Sequence, residues 1–138
     1  MYSTISQTLH TKRPLESSFD LVKLAREGLT TTSINSLLEA LEISVDEIVT
    51  LLPISRRTLE RYESDRKLSP ELSDRLIQIA RVYSRTLEVF GDRQSALGWL
   101  KSPCKAFGDT IPLSYLDLAS GFEIVMDELG RIDYGVYS

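Results

Sequence analysis

Cysteine, histidine and tryptophan each occur once in this sequence, at Cys104, His10 and Trp99. A lone cysteine closes no intramolecular disulfide and fits a reducing compartment, so a cytoplasmic location is expected. One histidine and one cysteine far apart in the chain supply neither a zinc-ligand spacing nor a nucleophile–base pair. Neither a metal nor a cofactor is expected, no catalytic residue is assigned, and an enzyme is not expected. Asp127-Glu128 is an acidic pair, but adjacent helix positions do not face each other, so it reads as solvated surface. With seven Gly and five Pro the chain is neither low-complexity nor disordered, and no glycine-rich phosphate loop is present. No apolar run exceeds four residues, far short of a membrane-spanning helix. The start, Met1-Tyr2-Ser3-Thr4-Ile5-Ser6, lacks the basic-then-apolar pattern of a secretory signal.

What is present is enough for one core, or for two small modules sharing one: 138 residues, 42% of them hydrophobic. A net charge of −4 argues against a general nucleic-acid coat, which would be basic throughout. The charge is unevenly placed, however. Residues 55–85 carry eight Arg and Lys against five Asp and Glu, whereas residues 106–138 carry six acids and one base. One end could therefore face phosphates and the other a basic partner.

No window alternates with period two, so the chain reads as all-α. Residues 1–14, polar and ending at Pro14, are expected to be a mobile tail. Phe19, Leu21, Val22, Leu24 and Ala25 fill a first short helix that stops at Gly28. Ile34, Leu37, Leu38 and Leu41 keep helical spacing in a second. Ser44-Val45-Asp46-Glu47 is a capping box that opens a third helix, ended by Pro53. Ser69-Pro70-Glu71 starts a long helix running to Phe90-Gly91. After it come helices around Ser95–Leu100 and Leu113–Leu118, and a last one opened by the box Ser120-Gly121-Phe122-Glu123.

Two surfaces carry functional signals. Ser44–Leu52, Pro53-Ile54 and Ser55–Ser64 have the proportions of a helix-turn-helix, the second helix being Arg-rich and capped by Ser55. On that helix Leu59 and Tyr62 share one side while Arg57, Arg61 and Ser64 share the other, where they can reach bases or phosphates. Arg66 and Lys67 extend the positive surface beyond the helix end, and Glu60 lies four residues from Arg56, a spacing suited to an ion pair. The candidate DNA-contacting residues are Ser55, Arg56, Arg57, Thr58, Arg61, Ser64 and Lys67. The second surface is the end of the last helix, where Leu129, Ile132 and Val136 recur at helical spacing and Tyr134 and Tyr137 add amphipathic bulk. By contrast Trp99, Leu100, Phe107 and Leu116 read as a small core.

The order of these stretches resembles the Xre/MbcA/ParS antitoxins of bacterial RES–Xre toxin–antitoxin systems. Matching residues are Arg57-Thr58-Leu59-Glu60-Arg61, Leu68-Ser69-Pro70-Glu71, Asp74-Arg75-Leu76 and Glu88-Val89-Phe90-Gly91. Further on come Ala96, Trp99-Leu100, Pro103, Pro112-Leu113, Leu116-Asp117, Gly121, Leu129-Gly130-Arg131-Ile132 and Gly135-Val136. The resemblance implies an Xre-like helix-turn-helix region over 15–84 and a toxin-binding domain over 85–138. It implies an antitoxin that covers the active site of an NAD-consuming RES-domain toxin and binds operator DNA as a homodimer, repressing its own operon within a higher toxin–antitoxin complex. Candidate toxin contacts are Trp99, Leu129, Arg131, Ile132, Tyr134, Gly135, Val136 and Tyr137, with Arg131 nearest the toxin's pocket. The helix Ser69–Phe90 is the candidate dimer contact.

Two departures stand out. The turn before Ser55 reads Leu52-Pro53-Ile54, where the family has a Gly. The family's Leu-Gly-Gly-x-Thr-Pro-Leu loop reads Phe107-Gly108-Asp109-Thr110-Ile111-Pro112-Leu113, without the second Gly or the capping Thr. A second reading stays open: a helix-turn-helix regulator whose C-terminal domain only dimerises the protein or senses a small ligand.

Overall fold

A computed structural model describes the backbone of residues 1–137 and the side chains of residues 1–135. The chain is 68% helical and, among the described residues, has no sheet. In order the helices are α1 (Tyr2–Leu9), α2 (Ser18–Glu27), α3 (Thr31–Leu41), α4 (Val45–Val49), α5 (Arg56–Glu60), α6 (Pro70–Phe90), α7 (Arg93–Leu100) and α8 (Ala119–Tyr137). Two short 3-10 turns, Lys105–Phe107 and Pro112–Tyr115, lie between α7 and α8. None of the described helices is long and apolar enough to cross a membrane.

The spine is α6. Ser69 caps it by accepting from the Leu72 amide at 3.1 Å, Pro70 occupies its first turn, and Gly91 ends it at φ 87°. Leu72, Leu76, Ile77, Ile79, Ala80, Val82 and Tyr83 are all buried, so the helix is covered on more than one face. It packs against α1, α2, α3, α7 and α8. Along its length only Pro70, Glu71, Asp74 and Glu88 are exposed, so most of its surface is taken up by its own chain.

The N-terminus departs from expectation. Instead of a mobile tail, residues 2–9 form α1, whose Ile5 and Leu9 are fully buried against α3 and α6. Ser33 Oγ donates to the Leu9 carbonyl at 2.6 Å, Ser84 Oγ donates to the Met1 carbonyl at 3.2 Å, and the terminal amine lies 3.6 Å from Glu88. Ser, Thr and Gln dominate this stretch and dilute the Tyr2, Ile5, Leu9 stripe; burial, not propensity, holds the helix.

Smaller adjustments have local causes. In α2, Leu21 is buried, but Phe19 and Val22 turn outward. Helix α7 begins at Arg93 because Asp92 caps it, accepting from the Ser95 amide at 2.8 Å. The segment read as helical at Leu113–Leu118 is the 3-10 turn Pro112–Tyr115. Helix α8 begins at Ala119, with the Phe122 amide donating to Leu118 at 3.1 Å, so Ser120 sits inside the first turn instead of ahead of it.

Candidate functional site

The helix-turn-helix is built around α4 and α5. The capping box of α4 forms as expected, Glu47 N donating to Ser44 Oγ at 3.2 Å and Ser44 N to Glu47 Oε1 at 3.3 Å. Beyond Val49 the chain tightens through Leu51 N to Ile48 O and Leu52 N to Val49 O, and Pro53 stops it. No residue of this turn has positive φ, and Arg75 of α6 holds it in place, its Nη1 donating to the Leu51 carbonyl at 2.6 Å. Ser55 then caps α5 by accepting from the Thr58 amide at 3.1 Å, and its hydroxyl also donates to Thr58 Oγ1 at 3.0 Å.

Helix α5 is only five residues long. It stops at Glu60, so Arg61 is its C-terminal cap and Ser64 lies in the following turn, exposed but off the helix. Leu59, Tyr62 and Ile54 are half-buried against the core, which leaves Arg57 and Arg61 outward. Among the described residues, neither of these arginines nor Lys67 has a side-chain partner in an ion pair or hydrogen bond. Arg56 is different. Its guanidinium pairs with Glu60 at 2.8 Å and with Asp46, and these two carboxylates, Glu60 first, hold its pKa above the usual arginine value. Arg66 is stacked over the Tyr62 ring at 4.3 Å.

After α5 the chain is tied to the start of α3. Asp65, at φ 61°, donates its amide to Thr31 Oγ1 and accepts from Thr32 Oγ1, both at 3.0 Å. Leu68 N reaches Leu29 O at 2.8 Å, and Leu29 N reaches Ser73 Oγ at 2.9 Å. Gly28 is required here, since a Cβ on it would stand 2.6 Å from the Leu68 carbonyl oxygen. The chain after α5 is thus anchored through residues 65–68, for which the sequence offered no periodic signal.

The C-terminal surface rests on a row of rings. Phe90 and Trp99 are 5.8 Å apart, Trp99 and Phe107 6.3 Å, Phe107 and Tyr115 5.2 Å. Leu100 and Leu116 are buried at the centre, and Trp99 is half-buried, so this group is core with one ring face at the surface. The loop that departs from the family pattern is closed by Cys104 N to Thr110 O at 2.9 Å, while Thr110 Oγ1 lies 2.6 Å from both Phe107 O and Tyr115 Oη. Asp109 stands at φ 65°, a left-handed position where Gly would be free of cost and Asp is tolerated. Gly121 lets α8 approach this loop, because a Cβ there would fall 1.8 Å from Tyr115 O.

Helix α8 divides the candidate partner residues. Leu129 is fully buried, so it seats the helix on its own core and presents nothing to a partner, contrary to expectation. Ile132 is half-buried; Arg131, Tyr134 and Gly135 are exposed, Tyr134 to 77%. Arg131 pairs with Glu128 at 2.7 Å, and Asp133 ties α8 to Arg85 of α6 at 3.0 Å. The side chains of Val136 and Tyr137 lie outside the described residues. Among the described residues, no group of three or more His, Cys, Asp or Glu could hold a metal ion.

Comparison with known proteins matches both halves. Residues 20–81 fit the family model of the antitoxin Xre-like helix-turn-helix domain, and residues 86–135 that of the antitoxin Xre/MbcA/ParS C-terminal toxin-binding domain. Antitoxin Xre of Yersinia enterocolitica is 32% identical over 86% of this chain and 81% of its own length. Antitoxin Xre of Photorhabdus laumondii is 30% identical over 91% and 86%, and that of Pseudomonas putida 30% identical over 88% and 76%. A short capped helix with outward arginines, a toxin-binding domain closed around a ring cluster, and relatives aligned along most of the chain lead to one conclusion: this chain belongs to the Xre antitoxin family, with an N-terminal helix-turn-helix domain and a C-terminal toxin-binding domain.

Proposed function

We propose that this chain binds and neutralises a RES-domain, NAD-consuming toxin by covering its active site, and that it binds operator DNA as a homodimer to repress its own operon. Residues 15–84 would read the DNA and residues 85–138 would hold the toxin. The observation that carries this reading is that two chemically distinct surfaces are exposed. Among the described residues Arg57, Arg61 and Lys67 stand without counter-ions on one, whereas Ile124, Arg131 and Tyr134 are exposed along α8 on the other.

Inhibition by occupancy asks no chemistry of the chain. Arg131, anchored through Glu128, would approach the toxin's NAD pocket, with Tyr134 and Gly135 beside it and the more distal Val136 and Tyr137 extending the contact. Dimerisation would set two α5 helices about one DNA turn, ~34 Å, apart. Phe19, 81% exposed, and Val22, 46% exposed, on the outer face of α2, would supply the dimer contact.

The test is co-expression with the neighbouring open reading frame, followed by co-purification and an NAD assay. Stable complex formation, with NAD lost only when this chain is absent, is the expected result. A folded chain that neither captures the neighbour's product nor protects NAD would leave the operator-binding regulator as the reading.

A further inference from the structure

Between α6 and α8 lies a groove of about 520 Å³, lined on the α6 side by Asp74, Arg75, Gln78 and Arg81 and on the α8 side by Phe122, Glu123, Met126 and Asp127. Its size is that of a site for a compact ligand or a few residues of a partner. Val82 and Phe122 are buried beneath it and Met126 is half-buried, so its floor is apolar. The charges are layered. Asp74, Glu123 and Asp127 are exposed and form the rim, whereas Arg75 and Arg81 are half-buried inside it.

Arg81 is the residue that the fold leaves incomplete. Its Nη1 donates to Gln78 Oε1 at 2.8 Å, but its Nε is buried and has no acceptor. No carboxylate pairs with it among the described residues. A buried donor without an acceptor costs free energy that an occupant supplying an oxygen would recover. The rim decides which kind of oxygen. Three carboxylates at the mouth repel a free anion such as phosphate, but they attract a segment carrying Lys or Arg. A neutral acceptor flanked by cations satisfies both layers, and a polypeptide has that chemistry: backbone carbonyl or side-chain amide oxygens beside basic side chains.

We propose that the α6–α8 groove receives a basic segment of the toxin, placing a carbonyl or amide oxygen at Arg81 and Lys or Arg side chains against Asp74, Glu123 and Asp127. This rests on the reading of the chain as an antitoxin, and it extends the proposed toxin contact from Arg131 and Tyr134 back along α8 to Asp127 and Glu123. The groove also touches the DNA-reading half, because Arg75 in its wall is the residue that holds the Leu51 carbonyl in the α4–α5 turn.

The experiment measures affinity between the full chain and the toxin encoded beside it, for wild type, Glu123→Lys/Asp127→Lys, and the milder Glu123→Gln/Asp127→Asn, with circular dichroism and melting confirming each fold. Loss of about tenfold or more for the reversal, a smaller loss for the neutral pair, and a weaker salt dependence in both are expected. A wild-type complex whose affinity both folded pairs leave unchanged overturns the groove while the antitoxin reading stands. No complex with wild type removes both. A parallel NMR titration follows the Arg81 Nε–H: its resonance should shift and its exchange slow on adding toxin, and a shift produced equally by inorganic phosphate would overturn the polypeptide assignment in favour of a small anion.

Discussion

Arg56, Arg57 and Arg61, on and at the end of one short helix, have different fates because their neighbours differ. Arg56 is held by Glu60 and Asp46, whereas Arg57 and Arg61 face outward without partners among the described residues. We expect Arg57→Ala and Arg61→Ala each to weaken operator binding by roughly 1–3 kcal/mol if a base contact is lost, measured by fluorescence anisotropy at fixed salt. Arg56→Ala should leave that affinity near wild type; a loss equal to that of Arg57→Ala would show that its ion pairs open on DNA. The Asp92 carboxylate is held below the usual aspartate range by the Ser95 amide, its largest influence, and then by the Ser95 hydroxyl. A carboxylate with a depressed folded pKa contributes stability above its unfolded pKa of about 3.9, and that contribution fades as pH falls through the folded value. Asp92→Asn should therefore lose part of that stability at pH 7, with the difference from wild type shrinking as pH falls below about 4. Most cap and pair residues were legible in the sequence, since Ser44, Ser55 and Ser69 act within three positions of their partners.

At the scale of the element, α1 and the entry to α8 are the informative cases. Leu9 is fully buried at the end of a helix that composition alone marked as a tail, so Leu9→Ala should cost about 2–5 kcal/mol in denaturant unfolding. A cost below about 0.5 kcal/mol would mean that α1 is dispensable. Gly121→Ala should prevent α8 from docking, because the added methyl would meet the Tyr115 carbonyl at 1.8 Å, a backbone atom that cannot step aside. Insoluble or molten protein is the expected result on expression, and a native melting curve would refute the close approach. Periodicity located seven of the eight helices, but it overran α5 by several residues. Arg61, Tyr62 and Ser64 continue a helical pattern that Asp65, bound to Thr31 and Thr32 across the fold, interrupts.

At the scale of the molecule, the two family domains share one core. A single apolar cluster runs from Ile5 and Leu9 through Leu72, Leu76 and Ile79 to Leu100, Leu116 and Leu129, and α6 passes from one matched domain into the other without a break. Thermal unfolding should therefore be one transition seen identically by far-UV circular dichroism and by Trp99 fluorescence. Two separated transitions would show that the domains melt independently. The shared helix α6 also packs against α8 while its Arg75 supports the α4–α5 turn.

Local chemistry was enough for the all-α class, the caps at Ser44, Ser55 and Ser69, the helix-turn-helix and the family, because caps, breakers and motif spacing act within a few residues. Only the tertiary structure decided which members of each stripe face outward. Leu129 went to the core and Tyr134 to solvent, Phe19 turned away from the core that Leu21 joined, and α6 became the spine. The physical reason is that helical periodicity states that a face will be buried but not against what, and burial is settled by elements distant in sequence. The α6–α8 groove has the same origin: Asp74 and Asp127, more than fifty positions apart, line one site because two helices pack together.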